Sequence, residues 1–349
     1  MSGMLLRLAC TTAVAAQAVL VPAPAAAVPD PQRSVAQLLT DLQQLYHQTE
    51  QATETYNATA EKLTRQRAEV SRLDGELARA RLALQDSRAD AGRLARQQYQ
   101  SSSGLGPYVR LLLAPDPEHA LDAGHVIGEL ARERARTVTR LTATEKGRDA
   151  LARAARQALD TQLTLTGQQK KQHDDVQGKL AGVERLLAGL SPAQLAAIAT
   201  LERQSVTAAQ QKLATAGALP TARAASPAGE RAVRWAMDQI GKPYAWGAAG
   251  PDAYDCSGLT TQAWSRAGTP IPRTSQEQWQ RLKRIPLSEL RPGDLVVYFP
   301  DATHVAMYVG DGKVVQAPRP GAAVQVSPLA SYPVLGAVRP DQAPATEAR

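Results

Sequence analysis

Residues 255–267 read Asp-Cys-Ser-Gly-Leu-Thr-Thr-Gln-Ala-Trp-Ser-Arg-Ala, and the reading of the C-terminal third of the chain starts from them. They predict a helix over 256–267 with Cys256 at its N-terminus, directly after Asp255 and before Ser257-Gly258. The partial positive charge of a helix start lowers the pKa of a thiol placed there. Before this helix lies another, over 230–240, and then the Gly-rich stretch 241–250. After it come short runs that read as strands, at 295–299, 304–309, 313–316, 324–326 and 334–338, with Asp311-Gly312 as a hairpin turn. Helices first and a meander second predict an α+β fold with an antiparallel sheet.

The same region concentrates the large aromatic residues. All four tryptophans (Trp235, Trp246, Trp264, Trp279) and the single phenylalanine, Phe299, lie in it. Residues 227–340 are long enough for a compact domain. It contains one cysteine, Cys256, and one histidine, His304, which opens a strand after the turn 301–303. A thiolate is the attacking species, and a neighbouring imidazole can hold the thiol in that form. A helix-start nucleophile with a strand-start base is the division of labour of papain-like cysteine peptidases. Gln316, twelve residues past His304, is set beside it by a hairpin at 310–312. Its carbonyl oxygen can accept the ring N–H but brings no charge to an imidazolium. The plain alternatives are an inert buried thiol at Cys256 and an ordinary polar strand residue at Gln316.

Upstream the character changes. From Val35 to Tyr99 there is no proline. A seam runs Leu38, Leu42, Leu45, Thr49, Ala52, Tyr56, Thr59, Leu63, Gln66, Val70, Leu73, Leu77, Ala80, Leu84, Ser87, Ala91, Leu94, in alternating steps of four and three. That is a heptad pattern and predicts a coiled coil. Ser101-Ser102-Ser103-Gly104 and the prolines at 107, 115 and 117 interrupt it. A second helical stretch runs from about 118 to 190 and ends on the seam Val176, Leu180, Val183, Leu187, Leu190. Two long helices joined by a tip at 101–121 make an antiparallel hairpin, with a parallel dimer as the alternative. Ser191-Pro192 is a helix start, and the helix runs to about 214. The coiled-coil domain is thus 33–215, followed by a linker at 216–226. Residues 341–349 read as a disordered tail.

At the N-terminus, Arg7 precedes an apolar run and Ala25-Ala26-Ala27 forms an A-x-A site, which predicts a signal peptide over 1–27 and a secreted protein. An uncleaved anchor, or a lipoprotein on Cys10, are the alternatives. With the leader removed, Cys256 is the one thiol left. The formal net charge is +7 in 349 residues, which suits an anionic partner such as cell-wall polymer. The charge is spread along the helices rather than interleaved with aromatics, which weighs against nucleic acid. The histidines outside the C-terminal domain are scattered, so no metal site is expected, and there is no phosphate or dinucleotide fingerprint, so no cofactor is expected.

Five motifs in order carry a family resemblance: Gly241-Lys242-Pro243-Tyr244-Ala245-Trp246-Gly247, Asp255-Cys256-Ser257-Gly258-Leu259, Pro272-Arg273-Thr274-Ser275, Arg291-Pro292-Gly293-Asp294-Leu295 and His304-Val305-Ala306-Met307-Tyr308-Val309-Gly310. Together they resemble the NlpC/P60 family over residues 227–340. The whole layout is similar to actinobacterial Rip-type wall hydrolases with N-terminal coiled coils. The resemblance implies a papain-like domain that hydrolyses peptidoglycan stem peptides, usually between γ-D-glutamate and a diamino acid. It implies Cys256 as nucleophile, His304 as base, Gln316 as orienting residue and Tyr244 beside the nucleophile at the oxyanion. It also puts Asp255, Ser257, Arg273, Ser275 and Trp246 along the substrate groove. Two positions depart from the pattern: Gln316 stands where His is commoner, and Gly247-Ala248 replaces Gly-Gly. An amidase or acyltransferase on the same fold, and a non-catalytic scaffold, are the rival functions. The coil, or the helix at 191–214, is expected to cover the groove until a divisome or FtsEX-like membrane partner moves it.

Overall fold

The structure is a computed structural model, and it describes residues 34–101, 107–112, 116–217, 219 and 223–342. The expected leader, residues 102–106 and 113–115 of the tip, and residues 343–349 lie outside the described residues.

Two helices, α1 (Val35–Ser101) and α3 (Pro117–Ala188), pack along their lengths as an antiparallel hairpin. Cross-links fix the direction: Gly182 faces Leu45, Gln66 donates to the Ala158 carbonyl at 2.9 Å, and Arg88 pairs with Glu145 at 3.0 Å. Every position of the α1 seam is buried or half-buried. Polar seam residues find local partners; the Thr49 and Thr59 hydroxyls donate to carbonyls one turn back. A short helix, α2 (Pro107–Leu112), lies within the stretch read from sequence as tip. Asp116 caps α3 by accepting from the His119 N–H. Helix α4 (Pro192–Thr215) begins on the Ser191-Pro192 signal with a full capping box closed by Gln194. Among the described residues no helix is long and apolar enough to cross a membrane.

The C-terminal domain contains α5 (Pro227–Met237), α6 (Cys256–Arg266), α7 (Ser275–Arg281) and strands β1 (Lys283–Ile285), β2 (Leu295–Tyr298), β3 (His304–Gly310), β4 (Lys313–Gln316), β5 (Gln325–Pro328) and β6 (Val334–Arg339). The strands form one antiparallel sheet in the order β1-β6-β2-β3-β4-β5. This is the α+β, papain-like arrangement expected. α5 starts three residues before its expected boundary because Ser226 caps it and Pro227 takes the first turn. α7 and β1 have no counterpart in the sequence reading.

Alternation along the central strands splits the core in two. Leu295, Val297, Val305, Met307 and Val315 face α5 and α6 and pack with Leu259, Ala263 and Trp264. Val296, Tyr298, Ala306, Tyr308 and Val314 face the other way, onto Leu290 and Leu329, with Leu213 of α4 against them. Gln210 of α4 anchors that contact with both ends of its amide: it donates to the Gly312 carbonyl and accepts from the Ala330 N–H, each at 2.9 Å. The hairpin and the sheet domain are therefore held against each other, and α1 crosses the cleft between α6 and β3.

Candidate active site

Cys256 is the first residue of α6, and its position is set by the cap before it. Asp255 is fully buried and accepts from the Gly258 N–H at 2.6 Å. Arg273 grips the same carboxylate with both arms, at 3.0 and 2.7 Å. Gly258 admits the loop that carries Ala248: a Cβ there would lie 2.2 Å from the Ala248 carbonyl oxygen. Gly258→Ala is therefore expected to lower stability by about 3 kcal/mol and distort the nucleophile turn. Chemical denaturation checks this; an unchanged midpoint would refute it. The Cys256 sulfur sits against the backbone N–H of Val305, the residue after His304, so the start of α6 and the start of β3 meet at the thiol.

His304 is fully buried, and its Nε2 lies 2.7 Å from Gln316 Oε1. The register explains why. Met307 pairs with Val315, so Gln316 falls opposite Ala306 and diagonally next to His304 on one face. The turn that sets this register runs through Gly310, Asp311 and Gly312, all at positive φ. Tyr332 meets the imidazole edge-on at 4.9 Å. The Tyr244 hydroxyl is buried with no hydrogen-bond partner among the described residues, and burial pushes its pKa well up. Ser257 lies beside Arg273 at 2.8 Å, and Ser275 opens α7 behind the Thr274 cap. Asp255, Cys256, Ser257, Arg273 and Ser275 are thus one cluster, with His304 and Gln316 adjoining it. Trp246 stands apart, facing the hairpin, where Tyr56 and His173 meet its ring at 5.1 and 5.3 Å.

Into this cluster α1 inserts a second stripe beside its seam, half-buried at His47 and buried at Glu50, Glu54 and Asn57, and absent from the sequence reading. His47 bonds Asp301 at 3.1 Å and stacks on Phe299. Glu50 lies 3.0 Å from His304 Nδ1, close in distance but off the hydrogen-bond direction, so the contact is an ion pair rather than an aligned bond. Glu54 accepts from Ser257 Oγ at 2.6 Å and from the Ser275 N–H at 2.8 Å, and its Oε1 is 3.9 Å from the Cys256 sulfur. Asn57 donates to Asp255 at 3.0 Å. The spacing 47, 50, 54, 57 is one face of a helix, and only that face could have marked these residues in the sequence.

The carboxylates reverse the electrostatics expected of a helix-start thiol. Burial, then the charges of Glu54, Asp255 and Glu50, push the Cys256 pKa well up, so the sulfur is a neutral thiol. Burial works against a charged His304 ring, but Glu50 and Gln316 outweigh it and hold the imidazole above its ordinary value. Burial and repulsion from Asp255 push Glu54 up to about 7, against the opposing pull of Ser257, Arg273 and Ser275.

These shifts carry a sign. A raised Glu54 means that the seated helix binds a proton more tightly than a freed one. Seating is favoured below the ordinary carboxyl pKa, and that advantage is lost as pH rises through about 7. The raised His304 acts in the same direction: its pairing with Glu50 is present at low pH and lost as pH climbs past the raised value. Spin labels on α1 and α5 are therefore expected to show a growing separated population between about pH 5 and 8. Glu54→Gln, which keeps the side chain's size but removes its titration and one acceptor oxygen, should weaken the response and leave the His304 part. Opening on acidification would contradict the assignment.

Comparison with known proteins bears on the same part of the chain. The family model described as NlpC/P60 family matches residues 241–335, which contain every residue of the cluster. A protein of Corynebacterium glutamicum named "Probable endopeptidase" is 41% identical over 142 residues, which cover 41% of this chain and 68% of that one. Peptidoglycan endopeptidase RipA of Mycolicibacterium smegmatis is 40% identical over 114 residues, covering 29% of this chain and 23% of RipA. Among solved structures, the P60 domain of an M. avium subspecies paratuberculosis antigen is 32% identical over 32% of this chain and 92% of that one, with a TM-score of 0.30. The matched region thus spans two thirds of the first relative and about a quarter of the second. A cysteine at a capped helix start, a histidine at the head of the neighbouring strand and the five motifs around them place the chain in the NlpC/P60 family.

Proposed function

We propose that the protein is a secreted, wall-associated peptidoglycan hydrolase, a cysteine endopeptidase that cuts stem peptides between γ-D-glutamate and the diamino acid. The observation that carries this reading is the joint placement of Cys256, at the start of α6, against the first residues of β3, with His304 anchored by Gln316. In the working state the His304 ring takes the thiol proton and the Cys256 thiolate attacks the peptide carbonyl. The α6 backbone N–H groups and the free Tyr244 hydroxyl hold the oxyanion. His304 then returns its proton to the leaving amine as the C–N bond breaks. Water, deprotonated by His304, hydrolyses the thioester and regenerates the thiol.

The geometry equally supports control by the hairpin. Gln316 occupies Nε2, so Nδ1 is the nitrogen left for the thiol and the leaving amine, and that is where Glu50 sits. Glu54 takes the groove next to the sulfur. α1 therefore blocks the cleft and keeps the thiol protonated. A membrane-bound divisome partner of the FtsEX kind, acting on the hairpin, supplies the release.

Defined muropeptides digested with a chain carrying Glu50→Ala and Glu54→Ala test the reaction. Mass spectrometry should find a new γ-carboxylate on D-glutamate and a free amine on the diamino acid. Release of the intact stem from its sugar would identify an amidase, and transfer to an added amine an acyltransferase; either product sinks the endopeptidase reading.

A further inference from the structure

Beyond His304 the cleft opens into a cavity of about 300 Å³ between α1, α4 and the segment carrying Tyr332. Glu50 and Tyr332 line it, and both touch the imidazole, so the cavity leads directly off the catalytic ring. Arg319, three residues past Gln316, also lines it. Its guanidinium is half-buried and holds Glu202 of α4 through two bonds, at 2.6 and 3.2 Å. It also lies over the Tyr46 ring of α1, 4.9 Å from the centroid. Both of these partners belong to the helical part of the chain, not to the sheet domain.

We propose that the sheet-domain wall of this cavity, with Arg319 and Tyr332, receives the leaving segment of the cleaved peptide once the helices withdraw, that Arg319 binds a carboxylate of that segment, and that Glu202 stands in for the carboxylate at rest. The inference rests on the peptidase reading above. Direction comes from the chemistry: the general acid must reach the leaving amine, so the leaving segment departs on the His304 side. The acyl segment then runs over Ser257, Arg273 and Ser275, where Glu54 sits. Recognition comes from the donor. A planar guanidinium offers a two-pronged fit to a carboxylate and stacks on an aromatic face, as Arg319 does with Glu202 and Tyr46. Once α1 and α4 withdraw, that charge is left half-buried without its partner, and an anionic ligand restores the pairing. A leaving segment of a stem peptide offers such a group, on its diamino acid or at its C-terminus.

The test uses two stem peptides that differ only in whether the leaving segment carries a carboxylate or a carboxamide. In the Glu50→Ala, Glu54→Ala chain, kcat/KM should favour the carboxylate by about 10- to 100-fold. Adding Arg319→Gln should erase that preference, bringing the ratio of the two kcat/KM values to about one. If Arg319→Gln slows both peptides equally, Arg319 only shapes the domain and the inference is overturned, with the peptidase reading intact. Cleavage of neither peptide would sink the peptidase reading instead. A binding arm then decides the inference separately: calorimetry of the free diamino acid–D-alanine dipeptide with the full chain carrying Cys256→Ala and Glu202→Gln together with Glu50→Ala and Glu54→Ala. Saturable binding that Arg319→Gln abolishes supports the site, and no binding refutes it.

Discussion

Cys256→Ala, made in the Glu50→Ala, Glu54→Ala background, is expected to lower muropeptide hydrolysis by at least about 10⁴-fold. No other thiol is present in the described domain, and neither His304 nor Tyr244 can form the acyl intermediate in its place. The fold should survive. The side chain loses only its sulfur, and the cap on α6 runs through Asp255 and Gly258, which the change does not touch. A small buried deletion of this kind costs about 1 kcal/mol, a few degrees in melting temperature. Paired measurements of product formation and thermal melting check both halves. Digestion that persists in the variant would place the chemistry elsewhere.

The second large effect runs in the opposite direction. Replacing Glu50 and Glu54 by Ala should raise hydrolysis by the full chain about 100-fold. Glu50→Ala leaves the His304 Nδ1 free to meet the thiol. Glu54→Ala leaves the Ser275 N–H without its acceptor in the closed state and Ser257 with only its longer bond to Asp255, at 3.4 Å, which costs about 1–3 kcal/mol and favours an open, hydrated groove. The alternative role for Glu50 is to orient His304 for catalysis, as the third member of a triad does. On that account its removal slows the enzyme. The sign of the change separates the two, because Gln316 already holds the other ring nitrogen. His47, Asn57, Tyr56 and the Glu202–Arg319 pair remain in both variants, so activation is expected to be partial.

Much of the sheet domain was legible because its signals are local. The Asp255 cap, the Asp311-Gly312 turn and the alternating apolar runs each name their own structure. Gln316 could be placed beside His304 by counting across one hairpin. The missing pieces are those whose meaning depends on a distant surface. In 47–57 Glu50, Glu54 and Asn57 carry no sequence signal of burial, since a buried glutamate looks like an exposed one until its partner is known. The seam of α1 was visible for the opposite reason, as apolar spacing needs no partner to be recognised. α7 is polar and only seven residues long, with Gln278 buried where an apolar residue would have announced a core. β1 is three residues, Lys283–Ile285, too short and too charged to stand out, and it pairs with β6 far along the chain. The cavity at Arg319 joins residues from α1, α4 and the loop before β6, so no single stretch encodes it.

One consequence follows from α1 being continuous. The residues seated in the cleft and the seam packed on α3 belong to the same uninterrupted rod from Val35 to Ser101. Turning the rod to withdraw Glu50 would tear Leu42, Leu63 and the other seam leucines off α3, so the hairpin must tilt away as one stiff piece. From Asn57 to Ser101 that piece extends about 65 Å at 1.5 Å per residue. In the opening proposed above, such a piece would act as a crowbar: a modest sideways force at its far end is multiplied at the cleft, uncovering the thiol in one movement.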